Sequence, residues 1–123
     1  IGYSSDLAKD NKLVQYIIKK YEFYNVNTNE IQPLSFTIEH IMPESTGIKE
    51  CGMIGNLLPL GDKLNSDLMD KDFKYKIKKY STSQYKTVEK FAQQYQNNSE
   101  WTKEMIIERT KEIAEKMYDM VKN

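Results

Sequence analysis

An acid and a histidine stand side by side at Glu39-His40, closing the short apolar run Phe36-Thr37-Ile38, and His40 is the only histidine in the 123 residues. Two asparagines follow. Asn56 comes after Gly55 and opens a second apolar run, Leu57-Leu58-Pro59-Leu60, while Asn65 lies in Lys63-Leu64-Asn65-Ser66, just inside an expected helix. These residue types suit the hydrolysis of a phosphodiester. A water must be deprotonated in line with the scissile bond, and the charge growing on the phosphoryl and leaving oxygens must be stabilised. Imidazole suits the first task because its unperturbed pKa lies near operating pH. A hard divalent cation suits the second and prefers carboxylate and amide oxygens, which Glu39 and Asn65 can offer.

The elements that position these groups must solve a geometric problem. Neighbouring side chains in a strand point to opposite faces, so Glu39 and His40 can serve one phosphate only if the backbone turns or twists beside them. Met42-Pro43 fits that demand, since the residue before proline is held extended and the strand cannot continue normally. Each residue also has a plainer reading. Asn65 could cap a helix, and Gly55-Asn56 could be a turn ahead of a strand.

Glu39-His40-Ile41-Met42-Pro43, then Ile54-Gly55-Asn56-Leu57-Leu58-Pro59-Leu60, then Lys63-Leu64-Asn65-Ser66 resembles the His-Asn-Asn version of the HNH (ββα-metal, His-Me finger) endonuclease motif. Within that superfamily the chain is most similar to the C-terminal nuclease domain of GmrSD-type modification-dependent restriction enzymes. Lys71-Asp72-Phe73 with Lys76, and Trp101 with Ile106 and Arg109, are similar to that family's helical tail. Glu39 stands where other HNH branches commonly have aspartate, and Glu44 where a polar amide is frequent.

The resemblance implies roles. His40 would be the general base, and Glu39 and Asn65 the ligands of one divalent cation, Mg²⁺ foremost, with Mn²⁺ or Ni²⁺ able to substitute. Asn56 would be structural, tying the loop from Ile41 to Gly55 through its side chain, with Gly47, Gly52 and Gly55 supplying φ freedom for the wrap. The implied substrate is double-stranded DNA, modified or not, cut to a 3′-hydroxyl and a 5′-phosphate. The implied parent carries an N-terminal nucleotide-hydrolysing, DNA-sensing domain and acts against phage in the bacterial cytoplasm.

Composition limits how such a module meets DNA. Eighteen basic and eighteen acidic residues give no net charge, whereas a free-standing DNA-binding domain is usually basic. Binding must then be local or borrowed. The strongest local run is Lys71, Lys74, Lys76, Lys78 and Lys79, and Lys71, Lys74, Lys76 and Arg109 are the candidate DNA-phosphate contacts. The plainer reading of the run is a solvated helix face, and of Arg109 a buried ion-pair partner. Cys51 is the only cysteine, which excludes an internal disulfide and a cysteine-rich zinc staple. The chain starts Ile1-Gly2-Tyr3, so it is expected to be excised from the C-terminal part of a longer protein.

The remainder reads as helical support. Leu7, Leu13, Val14, Ile17, Ile18 and Tyr21 recur at near-helical spacing between Asp6 and Tyr24, before a polar loop to Pro33. Leu64 to Lys79 holds the motif helix and a second helical stretch with Phe73 and Ile77 inward. Tyr85, Val88, Phe91, Ala92 and Tyr95 mark another helix, and a last one runs from a Thr102 cap with Ile106, Ile113, Met117 and Val121 in its stripe. Trp101 reads as a packing anchor. The expectation is an α+β fold, mostly α: two short antiparallel strands and a helix, the ββα-metal finger, embedded in a helical bundle. Residues 1–33 would be a helical extension, 34–69 the finger and 70–123 a helical tail, together one domain. Two other readings fit the same residues, an inactive nucleic-acid-binding module and a helical protein-interaction domain.

Overall fold

The two apolar runs form a two-stranded antiparallel sheet. Strand β1 (Thr37–His40) lies against β2 (Leu57–Leu60), with Thr37 facing Leu60, Ile38 facing Pro59, Glu39 facing Leu58 and His40 facing Leu57. The structure is a computed structural model that describes residues 8–25, 36–68 and 71–122. Leu7 and the polar loop expected up to Pro33 lie outside the described residues, as does the side chain of Val121. Proline cannot donate to a ladder, and Pro59 does not need to. The carbonyl of Ile38 opposite it turns to the outer edge and accepts a hydrogen bond from a helix instead.

Strand alternation divides the sheet. Ile38 and Leu57, on one face, pack with Val14 and Ile18 of helix α1 (Ala8–Asn25). Leu58 and Leu60, on the other, enter the main core with Leu68, Ile77, Val88 and Phe91. That core is supplied by α2 (Asp62–Leu68), α3 (Phe73–Tyr80), α4 (Lys86–Tyr95) and α5 (Lys103–Lys122). The mostly helical fold with one small sheet expected from the sequence is thus the observed one. The motif helix and the stretch after it are two separate helices, and Leu13 is 43% exposed rather than part of the α1 stripe.

Aromatic rings fill the centre of the main core. Phe91 meets Tyr95 at a centroid distance of 4.8 Å, Trp101 at 5.0 Å and Tyr80 at 5.9 Å, and Phe73 stacks on Trp101 at 5.8 Å. Such pairs are each worth about 0.5–1.5 kcal/mol beyond their area. Trp101 is the packing anchor its isolation in the sequence suggests.

Three helices begin on caps of different origin. Asp72 accepts from Tyr75 N at 2.9 Å and starts α3, and Thr102 accepts from Met105 N at 3.2 Å and starts α5. Helix α4 begins after Tyr85, whose side chain caps nothing. Its cap comes from α1. The buried carboxylate of Glu22 accepts from Lys86 N (2.7 Å), Thr87 N (2.9 Å) and Thr87 Oγ1 (2.8 Å). A carboxylate at a helix N-terminus satisfies orphan donors and favours the helix dipole.

The loop between the strands folds into three short 3₁₀ turns, Glu44–Thr46, Lys49–Gly52 and Ile54–Asn56. Its glycines do not all serve φ freedom. Among the described residues only Gly47 has positive φ, at 75°. Gly55 is needed for close approach, because a Cβ there would lie 2.2 Å from Ile106 O and 2.6 Å from Thr110 N.

Replacing Glu22 with alanine should lower unfolding free energy by about 1.5–3 kcal/mol, the range for hydrogen bonds to a charged group. Urea denaturation followed by Trp101 fluorescence measures it. A loss below about 0.5 kcal/mol, the level of an ordinary surface change, would show that α4 does not depend on this cap.

Candidate active site

Asn56 is fully buried and its amide has every hydrogen-bonding position filled. Oδ1 accepts from Met42 N at 2.8 Å and from Trp101 Nε1 at 2.9 Å, and Nδ2 donates to Met42 O and Cys51 O, each at 2.9 Å. Its backbone carbonyl accepts from Ile41 N at 2.9 Å. The residue holds both ends of the loop and joins them to the start of α5. Cys51 lies buried inside the loop, its Sγ 3.3 Å from Thr46 Oγ1 and 3.5 Å from Pro43 O.

Asn65 lies within α2, past the first turn residues, and so does not cap it. Its Nδ2 donates to Thr37 Oγ1 at 2.8 Å and to Ile38 O at 3.2 Å. A backbone carbonyl accepts only, so the nitrogen of the amide must face the strand and the oxygen must face away. The Thr37 hydroxyl hands its own proton to Leu60 O at 2.9 Å, leaving a lone pair for Asn65. Helix α2 is thereby pinned to β1 two residues before Glu39.

Glu39, on the inner face of β1, is 4% exposed. Its Oε2 accepts from Tyr80 OH at 2.6 Å and lies 3.1 Å from Lys76 Nζ. Burial, with the Glu39 charge second, pushes the Tyr80 hydroxyl well above its ordinary pKa, so it stays a proton donor to the carboxylate. Lys76 Nζ also donates to His40 O and Ile41 O, both at 3.0 Å. His40 ends the strand on the opposite side. Its Nε2 lies 3.9 Å from Glu44 Oε1 in the first 3₁₀ turn, with 13% of its side chain exposed.

Two expected DNA contacts are corrected by this geometry. Lys76, 1% exposed, is inside the protein with Glu39, and Arg109 is 7% exposed. Arg109 Nη1 donates to Gly55 O at 2.9 Å and Leu57 O at 3.3 Å, and its guanidinium sits 5.0 Å from the Phe91 centroid. Burial, the leading cause, draws the Arg109 pKa down. Arg109 serves the β2 backbone, not a phosphate, and takes part in none of the ion pairs found among the described residues. Lys71, Lys74 and Lys78 stay exposed on α3 and its approach. Lys71 and Lys79 flank Tyr75, each ammonium about 5.5 Å from the ring centroid (5.5 and 5.6 Å).

Tyr80 and Thr37 are site residues that sequence reasoning missed. A signal for Tyr80 and for the burial of Lys76 did exist. Phe73, Lys76, Ile77 and Tyr80 follow the i, i+3, i+4, i+7 pattern of one helix face, and that face is the buried one.

The donor set bears on a metal. No group of three or more His, Cys, Asp or Glu is found among the described residues. What the site offers is oxygen: the second carboxylate oxygen of Glu39 and the outward amide oxygen of Asn65. Those fit a hard cation that keeps most of its waters and takes one or two protein ligands.

A mostly helical domain that holds an acid–histidine step at the end of a two-stranded sheet, with an asparagine from the next helix docked on the same strand, has the makings of a hydrolytic module. The chain belongs to the family of GmrSD restriction endonucleases, C-terminal domain, whose model matches residues 3–116. It is therefore a restriction-endonuclease module. Neither the curated proteins nor the solved structures give a match to the chain. No helix among the described residues is long and apolar enough to cross a membrane.

Tyr80→Phe removes the 2.6 Å bond to Glu39 and should cost about 1.5–3 kcal/mol at neutral pH. Unfolded tyrosine titrates near pH 10, whereas buried Tyr80 keeps its proton longer, so the unfolded state binds fewer protons above that pH and the wild type loses stability there. The gap between wild type and Tyr80→Phe should therefore narrow as pH rises above about 10. Urea titrations from neutral to alkaline pH check the sign, and a gap that widens contradicts it.

Proposed function

We propose that this chain is the HNH-type cleavage module of a restriction and phage-defence protein, hydrolysing phosphodiester bonds of double-stranded DNA, modified or unmodified, with one divalent cation. The observation that carries the reading is the docking of Asn65 on Thr37 and Ile38. It brings the helix that bears one candidate oxygen ligand onto the strand that bears Glu39 and His40.

His40 is the general base, taking the proton of the attacking water as the in-line displacement begins. The Glu44 carboxylate stands beside the ring, its Oε1 3.9 Å from Nε2. Glu39 and Asn65 would hold the cation, Mg²⁺ foremost with Mn²⁺ or Ni²⁺ as substitutes, which when bound supplies positive charge to the phosphoryl and leaving oxygens. Asn56 keeps the loop closed around the base. Lys71 and Lys74 meet the phosphate backbone. The products are a 3′-hydroxyl and a 5′-phosphate. With no net charge on the chain, its own hold on DNA is weak, and delivery falls to an N-terminal nucleotide-hydrolysing, DNA-sensing domain of the same parent in the bacterial cytoplasm.

Supercoiled plasmid incubated with the protein at high concentration and Mg²⁺ or Mn²⁺ should be nicked, and EDTA should stop the reaction. His40→Ala should slow it about 10²–10⁴-fold, the usual contribution of a general base. Undiminished cleavage by His40→Ala would sink the assignment of the base. Inert wild type that still binds Mn²⁺ would favour a binding module over an enzyme.

A further inference from the structure

Successive residues of an extended strand alternate, so their carbonyls point to opposite sides. Lys76 Nζ nevertheless lies 3.0 Å from His40 O and 3.0 Å from Ile41 O, which are neighbours in the chain. One atom reaches both only where the backbone has left the extended form, and β1 does end at His40. The same ammonium is 3.1 Å from Glu39 Oε2. An ammonium has three donors, and here they meet three consecutive residues. Tyr80, one turn further along α3, holds Oε2 from the other side at 2.6 Å. The lysine and glutamate side chains are 2% and 5% exposed, so water does not compete for these bonds.

We propose that Lys76 is a positioning residue for the active site. Its ammonium fixes the turn after His40 that lets two adjacent side chains, Glu39 and His40, serve one phosphate. The proposal rests on the nuclease reading of those two residues. Glu39 then has two duties, with Oε2 anchoring Lys76 and Tyr80 and the other oxygen left for the cation. The neutralising carboxylate also explains why a lysine can occupy the inner face of α3 at all.

Because His40 is the sole histidine, its ring C–H resonance is unambiguous in an NMR spectrum of the metal-free chain. Three variants are compared with wild type, each checked for fold by circular dichroism and Trp101 fluorescence: Glu39→Gln, Lys76→Met, and the two combined. Glu39→Gln leaves the Lys76 amine and both carbonyls in place with an amide oxygen as third partner, so in the folded variant the His40 signal should stay close to wild type. In Lys76→Met it should move toward the position of an unrestrained histidine and lose its cross-peaks to neighbouring protons. The combined variant leaves no unpaired buried charge, and it should show the same displaced signal should Lys76→Met fail to fold. In plasmid nicking Lys76→Met should lower kcat by about 10- to 100-fold, the scale of a misplaced reacting group, with KM for DNA unchanged.

A wild-type His40 signal in either folded Lys76 variant would overturn the proposal, and so would a change confined to KM, which is what a phosphate contact gives. Failure of both Lys76 variants to fold would also overturn it, making the residue part of the core and nothing more. Should wild type cut no DNA, the nuclease reading fails on its own, while the resonance comparison still decides whether Lys76 sets the orientation of His40.

Discussion

A buried amide must find partners for two donors and two acceptor lone pairs or cost the fold dearly, and the Asn56 side chain is the point at which this molecule meets that demand. Met42, Cys51 and Trp101 answer it together. These residues come from the exit of β1, the middle of the long loop and the entry to α5. Losing any one of these contacts leaves a donor or a lone pair of the buried amide unfilled. The loop therefore cannot open without disturbing the aromatic core, in which Trp101 also stacks on Phe73. Gly55, next in the chain, packs so closely on α5 that a side chain has no room, which locks the same junction by shape.

Four buried charged residues at three places extend this arrangement, and each place is resolved differently. Glu22 is satisfied by backbone and hydroxyl donors at the start of α4. Arg109 is satisfied by the carbonyls around Gly55 and Leu57 and by the face of Phe91. Lys76 and Glu39 form an ion pair closed by Tyr80. Breaking a buried pair by removing one member typically costs about 3–5 kcal/mol, although the intact pair adds little over an apolar substitute. Such groups act as registers. They specify which backbone segment lies against which helix: α1 against the start of α4, α5 against Gly55 and Leu57, and α3 against the Glu39-His40 step.

Much of the scaffold was legible in the sequence. The apolar runs ending at His40 and starting beyond Asn56 are the two strands, and the helical stripes around Ile77, Phe91 and Ile106 are buried as their spacing requires. Lys76 was misjudged because a lysine run reads as a solvated face, although its phase with Phe73, Ile77 and Tyr80 places it inward. The cap of α4 was not legible. Glu22 lies 64 residues from Lys86 in the chain, and no local pattern relates them. The same distance problem hid the bond from Trp101 to Asn56, 45 residues apart.

By itself the sequence determined the residue types able to do chemistry, their order, and the periodicity that makes strands and helices, because these depend on side-chain identity and on contacts within a few residues. Only the tertiary structure decided which charged groups reach solvent and which are held inside, and that Asn65 turns its nitrogen to β1 and its oxygen outward. It alone brought one ammonium onto two successive carbonyls. These outcomes follow from desolvation and from hydrogen-bond partners brought together across long stretches of chain, whose free energies exist only once the helices have packed against the sheet.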